Sequence, residues 1–505
     1  VTTITPDTWL LNELLQDWVT VDMPVLKIQG VCLDSRLVEP GDLYLALEGV
    51  ETHGMRFAES AVASGAVAVA ASSDSIEDFT SAVQALKKSN VPIIAIDHLS
   101  KHCAEIASRF YREPDHSMKL IAVTGTDGKT SVCRFIAQAF DSIDLNCGYI
   151  GTLGWGLGDD LRSTELTTPD AVTLRRMLAS LRDQGASVVA LEASSHGLAE
   201  GRLDGLALDV AVLTNFGRDH LDYHKTLEAY RSAKAALFSW PGLSSIVVNG
   251  DDALGQDLLQ NCTMLKRFAY QITADHSSAN DVVEIRADKI TTHDAGLRFN
   301  LIEGLDNEII NSPLLGRFNV ENLLACYASL RACDVAANEA RHCLLSVKPV
   351  EGRMERFGGE NAPTVVVDFS HTPQALSMAI EAVRVHCKGK LWVVFGCGGD
   401  RDVGKRAPMA AAAESADHIV LTDDNPRTES SLDIINGAMK GFANADAVIV
   451  IADRSTAIRH AVQHAELDDL VLVAGKGHED YQIIGKTKYP FSDRSEVLAA
   501  LEVAS

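Results

Sequence analysis

The sequence predicts an α/β protein of three domains. A small mixed α/β amino-terminal domain takes residues 1–98, a central P-loop-type domain with a mostly parallel sheet takes 99–347, and a doubly wound, Rossmann-like carboxy-terminal domain takes 348–505. Three observations predict it. At 505 residues the chain exceeds one core, and about 150 residues per domain gives roughly three. Apolar runs of strand length alternate with helical stretches, the pattern of parallel sheets covered on both faces. The glycine-rich and charge-rich loops each follow such a run, and in doubly wound sheets sites collect at the carboxyl ends of strands.

In chain order, "DLYLAL", "AVAVAA" and "VPIIAI" alternate with turn residues and make the first unit. A helical pattern, "LSKHCAEIASRFY", leads through "REPDHS" to the strand "KLIAVTG". "SVVALEAS", "DVAVLTN" and "SSIVVNG" continue the central sheet, and 280–311 reads as a small antiparallel addition. After "SVKPVEGRMERF" the alternation restarts with "TVVVDFS", "KLWVVFGCG", "HIVLTDD", "AVIVIAD" and "DLVLVAGKG", five strands of a second doubly wound sheet. No sequence repeat or low-complexity segment interrupts the series.

Composition narrows the function. The net charge of −24 argues against a nucleic-acid partner held through phosphates, so anions must be bound by local cations and backbone N–H groups. The ten cysteines include no CxxC pair, and several sit inside apolar runs, which argues for a reducing compartment and against a disulfide frame or structural zinc. "VTTITPDTWLLNELLQDW" lacks a basic leader pattern, and no run reaches the roughly 18 apolar residues of a membrane span. A cytoplasmic protein without membrane insertion is expected.

"KLIAVTGTDGKTSVCRFIAQAF" reads as strand, glycine turn, lysine, hydroxyl residue, helix. Gly125 and Gly128 let the backbone close around phosphates, Lys129 reaches the β- and γ-phosphates, and the Thr130 hydroxyl takes Mg²⁺. Val123 stands where the usual pattern has its first glycine, so a plain glycine turn at a helix start stays open. Further on, Glu192 leaves a buried strand before Ser194, Ser195 and His196, and "TNFGRDHLDYH" gathers Asn215, Arg218, Asp219, His220, Asp222, Tyr223 and His224. Taken alone, either cluster reads more readily as a solvated loop. Following strands of the phosphate-loop sheet, together they point to a Mg²⁺ and triphosphate site with oxygen ligands and an occasional imidazole. GxSxG and HExxH are absent, which disfavours a serine hydrolase and a zinc protease.

"TGTDGKT", "LEASSHG", "TNFGRDHLDYH", "GRFNVENLLA", "GRMERF", "VDFSHTPQAL" and "AGKGHEDYQ" resemble the ordered motif series of the Mur ligases, and "DSRLVEPGDLYLAL" resembles their uridine-binding amino-terminal domain. The resemblance covers nearly the whole chain. It implies ATP-driven amide formation, in which a D-Glu carboxylate is phosphorylated and an amine displaces phosphate from the acyl phosphate. The implied substrates are UDP-N-acetylmuramoyl-L-alanyl-D-glutamate, meso-2,6-diaminopimelate and ATP, with Mg²⁺ as cofactor, in peptidoglycan precursor synthesis by a monomer. By the same resemblance, Gly125, Thr126, Asp127, Gly128, Lys129, Thr130, Ser131, Asn319, Arg353, Asp368 and His371 serve ATP. Thr130, Glu192, His220 and Lys234, the last as a carbamate, hold metal; Lys129, Lys234 and His220 carry catalysis. Ser35, Thr167, Thr168, Ser194, Glu200 and Arg202 meet the UDP substrate, and the 346–352 segment is a hinge. Asp127 stands where the family usually has Asn and Glu200 where close relatives have Gln. "LEGVETHGMRF" also departs from the family pattern, leaving uridine contacts beyond Ser35 open.

"LTDDNPRTES" is then the amino-acid-selecting stretch. Arg427, stiffened by Pro426, grips the distal carboxylate of the diamino diacid, Asp424 and Asn425 receive its ammonium, and Arg401, Gly475 and Glu479 complete the pocket. An L-lysine-adding ligase is the alternative within the class, and Arg427 argues against it. Folylpolyglutamate synthase is disfavoured by the domain before the phosphate loop. A P-loop ATPase switch without ligase chemistry is the alternative from another class.

Overall fold

The computed structural model describes residues 8–20, 23–49, 52–272, 281–293, 296–359 and 361–504. The chain divides into two compact units, one of residues 1–248, 252–268 and 332–334, the other of 249–251, 269–331 and 335–505.

Among the described residues the first unit holds a two-stranded antiparallel pair, Trp9–Leu10 with Lys27–Ile28, and two larger sheets. Gly30–Cys32, Asp42–Ala46, Ala68–Ala71 and Ile93–Ala95 form a four-stranded parallel sheet in sequence order. One face packs with Leu99, Ile106 and Phe110 of the helix Leu99–Phe110, and the other buries Met55, Ala58 and Leu86. The central sheet runs Cys147–Gly151, Val188–Glu192, Lys119–Thr124, Val210–Leu213, Ser245–Asn249, each pair parallel. An antiparallel edge, Gly154–Leu157 with Asp160–Arg162, follows Cys147–Gly151. The inner strands are apolar along their length because helices cover both faces, and Leu120, Leu191 and Leu213 are at most 1% exposed. Each such side chain contributes about 1.5–3 kcal/mol of burial. Register decides the site: Glu192 lies opposite Val123, and Leu213 opposite Thr124. Both strands therefore deliver their loops beside Gly125.

The second unit carries an antiparallel meander, Val282–His293, Gly296–Glu303 and Asp306–Ser312, as the polar 280–311 stretch predicts. Residues 280, 294 and 295 of that stretch lie outside the described residues. Its other sheet has the order Glu355–Gly358, Thr364–Asp368, Leu470–Ala474, Leu391–Cys397, His418–Asp423, Val448–Val450. All pairs are parallel except the first. The helices Pro373–Arg384, Arg406–Ala413 and Ser431–Met439 share one core, while Arg454–His464 and Asp493–Ala504 share the other, the two-faced winding expected. A hairpin, Tyr481–Ile484 with Thr487–Pro490, was not read from the sequence. Among the described residues no helix is long and apolar enough to cross a membrane, and all ten cysteines are free thiols.

Candidate active site

Gly125 has a φ of 154°, and a Cβ there would lie 1.7 Å from Thr214 Oγ1, so only glycine lets the two strand ends approach. Gly128, at φ 82°, is the N-cap of the helix Lys129–Asp141. The loop is braced from the neighbouring strand end. Asp127 N donates to Asn215 Oδ1 (2.9 Å), Thr214 Oγ1 donates to Asp127 O (2.6 Å), and Gly217 N donates to Thr126 Oγ1 (2.8 Å). Lys129 Nζ donates to the carbonyls of Gly125 (2.8 Å) and Thr126 (2.9 Å). Thr130 and Ser131 are buried in the first turn, whereas the Asp127 side chain is exposed.

Glu192, 1% exposed, ends its strand inside a cradle of donors. Tyr149 Oη donates to Oε1 (2.7 Å), Thr152 N to Oε1 (2.9 Å), and Thr130 Oγ1 to Oε2 (3.0 Å). A Cβ on Gly151 would stand 2.2 Å from Glu192 Oε1, so Gly151 makes room for the carboxylate. Tyr149, Gly151 and Thr152 carried no signal in the sequence, being ordinary residues of an apolar strand and its exit.

Lys234 sits in the last turn of the helix Leu227–Ala235, 1% exposed. Its Nζ donates to Gly125 O (2.6 Å) and lies 4.5 Å from the Tyr230 ring centroid. Burial, reinforced by the Lys129 charge, pulls its pKa from 10.5 down to about 6. His220, at φ 53°, approaches Asp219 Oδ2 with Nε2 (3.4 Å) and stacks edge-on with His196 and Tyr230. Burial lowers the His220 and His196 pKa values, and His224 likewise. Among the described residues no three His, Cys, Asp or Glu side chains are gathered as a metal cage. The oxygen pair of Thr130 and Glu192 nonetheless fits a hard divalent ion that keeps waters and phosphate oxygens as its other ligands.

Of the predicted UDP-substrate residues, Thr167, Thr168, Ser194, Glu200 and Arg202 form one connected group. Thr152 Oγ1 is 3.1 Å from Thr167 Oγ1, which links the Glu192 cradle to it. Thr168 Oγ1 donates to Glu192 O (2.6 Å), Ser194 N donates to Thr168 Oγ1 (3.0 Å), and Arg202 Nη1 donates to Thr168 O (2.7 Å). Glu200 holds Arg202 through Nε (2.9 Å) and Nη2 (2.6 Å), and Tyr223 Oη donates to its other oxygen (3.2 Å). Ser35 is buried in the turn closed by Leu37 N on Asp34 O, and Arg36 beside it lies 3.5 Å from Glu165, two residues before Thr167. In the departing stretch, His53 caps a 3₁₀ turn at Met55 N and meets Ser75 Oγ at 2.8 Å, a structural use; Val50 and Glu51 lie outside the described residues.

In the second unit, Phe369 gathers the predicted ATP residues. The Arg353 guanidinium lies 4.5 Å from its ring centroid and His371 at 4.6 Å. Asp368 accepts from Met354 N (2.9 Å) and from Ser370 Oγ. His478 completes the platform at 4.9 Å, and burial and the Arg353 charge take its pKa down to about 3, so it is a neutral imidazole. Lys405 Nζ donates to His371 O (3.1 Å). Phe369 and His478 lie inside the quoted motifs without being singled out there, and Lys405 lies in none of them. Asn319 is not part of this group: its side chain donates to Leu315 O (2.7 Å) and accepts from Asn322 (2.9 Å).

Residues 424–427 are held by hydrogen bonds as well as by Pro426. Arg427 has a φ of 51°, left-handed backbone that costs a non-glycine residue on the order of 1 kcal/mol. Its N–H donates to Ile483 O (3.0 Å), its O accepts from Gly485 N (2.7 Å), and Nη1 donates to Gly399 O (2.7 Å). Gly399 N donates back to Asn425 O (2.9 Å), and Asp400 accepts from Thr428 N (3.1 Å) and Oγ1 (2.8 Å). The unpredicted hairpin thus clamps the arginine. Arg401 is exposed, with Asp400 as a charged neighbour. Asp424, Gly475 and Glu479 lie at the ends of adjacent loops, and a Cβ on Gly475 would come within 3.1 Å of Asp424 Oδ2.

Three family patterns match the chain in order: Mur ligase family, catalytic domain, over residues 27–111; Mur ligase middle domain over 123–330; and Mur ligase, glutamate ligase domain, over 352–477. UDP-N-acetylmuramoyl-L-alanyl-D-glutamate–2,6-diaminopimelate ligase of Pseudomonas aeruginosa is 45% identical over 482 residues, 95% of this chain and 96% of that protein. The ligase of the same name from Coxiella burnetii is 42% identical over 492 residues, 96% of this chain and 97% of the other. A solved structure of a ligase of that name superposes with a TM-score of 0.68 at 34% identity, covering 98% of this chain and 99% of the other. MurF from Acinetobacter baumannii superposes with a TM-score of 0.65 at 16% identity over 99% of both chains, a likeness of fold alone.

Proposed function

The chain belongs to the Mur ligase family, and we propose that it joins meso-2,6-diaminopimelate to UDP-N-acetylmuramoyl-L-alanyl-D-glutamate at the expense of ATP. The observation that carries the choice of amino acid is the clamped Arg427, which follows an Asn425 bonded to Glu479. Domains at 1–98, 99–347 and 348–505 would serve the UDP substrate, ATP and the amino acid in turn. ATP and a UDP-linked substrate make the cytoplasm the site of action.

The γ-phosphoryl group passes to the D-Glu carboxylate, and ADP leaves. The amine of the diamino diacid then attacks the acyl phosphate, the C–N bond forms, phosphate departs and the amine gives up a proton. Lys129 leaves the Gly125 and Thr126 carbonyls for the phosphates, whose charge must be neutralised before two anions can approach. The N–H groups at the start of the helix Lys129–Asp141 point at the same phosphates. Thr130, Glu192, His220 and carbamylated Lys234 would hold Mg²⁺, which when bound supplies further neutralisation of the triphosphate. A buried Lys234 cation beside Lys129 is unfavourable, whereas its neutral amine adds to CO₂ with loss of a proton and becomes an anion that Lys129 favours. Thr167, Thr168, Ser194 and Arg202 would orient the UDP substrate, with Glu200 and Tyr223 holding Arg202 in place. Arg353, Asp368 and His371 around Phe369 would receive ATP, with Asn319 as a further contact.

The test is phosphate release from ATP with UDP-N-acetylmuramoyl-L-alanyl-D-glutamate, comparing meso-diaminopimelate with L-lysine. Turnover with the diamino diacid alone is expected. Equal turnover with lysine would overturn Arg427 as selector, and turnover without any amino acid would make the protein an ATPase instead.

A further inference from the structure

We propose that Lys476 is a positioning residue that sets the charge of the amino-acid pocket: its buried ammonium cancels one of the two carboxylates, Asp424 and Glu479, so that the pocket accepts one ligand ammonium. This rests on the amino-acid reading of that pocket given above.

Lys476 is 0% exposed, directly after Gly475 at the end of the strand Leu470–Ala474. Its Nζ lies 2.9 Å from Glu479 Oε2, 3.1 Å from Asn425 Oδ1 and 3.7 Å from Asp424 Oδ1. A lysine fully removed from water needs such partners, since an unpaired buried charge is among the costliest groups in a protein. Its partners are the groups a ligand ammonium would seek, so Lys476 already occupies the inner side of that set.

Two consequences follow from the bond pattern. The Asn425 amide is committed internally: Oδ1 accepts from Lys476 and from Ile483 N (2.9 Å), and Nδ2 donates to Glu479 Oε2 (3.0 Å). A carbonyl oxygen with two lone pairs has none left for a ligand ammonium, so that role falls to the carboxylates. Arg454, the other buried cation nearby, does not enter the count. It is bidentate to Asp493 at 2.7 Å through Nε and 2.7 Å through Nη2, and it also ties the carbonyls of Asp423 and Ala474. Two carboxylates against one lysine leave one negative charge. A single ammonium completes the balance, and Arg427 is left for the ligand carboxylate.

The proton count on ligand binding reads this charge directly. Without Lys476, Asp424 and Glu479 would share a proton in the empty pocket, and an incoming ammonium would expel it. Isothermal titration of meso-diaminopimelate into the full chain, in two buffers of different ionisation enthalpy, is the experiment. Wild type should bind with no net proton exchange, and Lys476→Met should bind at least tenfold more weakly while releasing about one proton. The charge-balanced double variant Lys476→Met/Glu479→Gln should again exchange none, and it carries the test if the single variant does not fold. A merely structural lysine would weaken binding without moving the proton count, and that result, or a double variant that fails to fold, overturns the proposal. Wild type that binds the ligand yet forms no amide would defeat the proposed function and leave the pocket assignment standing. Wild type that does not bind it would defeat both.

Discussion

Lys129 and Arg427 are cations whose positions are set by backbone oxygens. Lys129 rests on the Gly125 and Thr126 carbonyls, within reach of any phosphate that the loop encloses. Replacing it with Ala removes the neutralising charge but no core packing. Lys129→Ala should therefore lower amide formation about 100-fold or more with an unchanged melting curve; near-normal phosphate release would defeat the phosphate-loop assignment. Arg427 is clamped at positive φ by Ile483, Gly485 and Gly399. Arg427→Ala should raise the KM for meso-diaminopimelate by about 10–100-fold, the cost of a lost carboxylate partner, and the KM for ATP far less. Steady-state kinetics with each substrate varied in turn separates this from a structural role, which would move both. The motif series marked these residues in the sequence. It did not mark their clamps, because the oxygens belong to residues of any type.

At the scale of elements, parallel strands set side by side deliver the chemistry. Glu192 lies opposite Val123, and the strand Cys147–Gly151 brings Tyr149 and Gly151 to the same carboxylate. Gly151→Ala would place a methyl group 2.2 Å from Glu192 Oε1, and the carboxylate would have to move. The variant should lose about 1–3 kcal/mol in urea denaturation and raise the KM for ATP. A stable variant with unchanged ATP use would mean that Glu192 has no fixed role. Buried strands were legible because two-sided burial makes them apolar throughout. The cradle was not, since which strand lies beside Val188–Glu192 is a matter of crossover topology. The hairpin Tyr481–Ile484/Thr487–Pro490 leaves as little trace: its strands have four residues each, too few for an alternating pattern to mark them.

Over the whole molecule the net charge of −24 opposes substrates that are themselves polyanions. Attraction from held cations such as Lys129, Arg202 and Arg427 is screened little by salt, whereas the diffuse surface repulsion is screened within about 10 Å at 0.1 M salt. Raising ionic strength from low values toward 0.15 M should increase kcat/KM for the UDP substrate by about twofold. A fall over that range, seen in initial rates, would show that surface cations steer the substrate.

The sequence by itself determined the fold class and the family, and it marked the glycine loop and residues 424–427 as candidates, because each is a local pattern: periodicity, glycine spacing, or an ordered run of reactive residues. Tertiary structure decided which neutral groups complete them. The depressed Lys234 pKa comes from burial against Tyr230, one helical turn before it, and against Gly125, distant in sequence, and from the nearby Lys129 charge. The commitment of Asn425 to Lys476 and Glu479 comes from two strand ends on either side of Leu391–Cys397. Both depend on desolvation and distance, which act through space and leave no periodic trace in a chain of residue types.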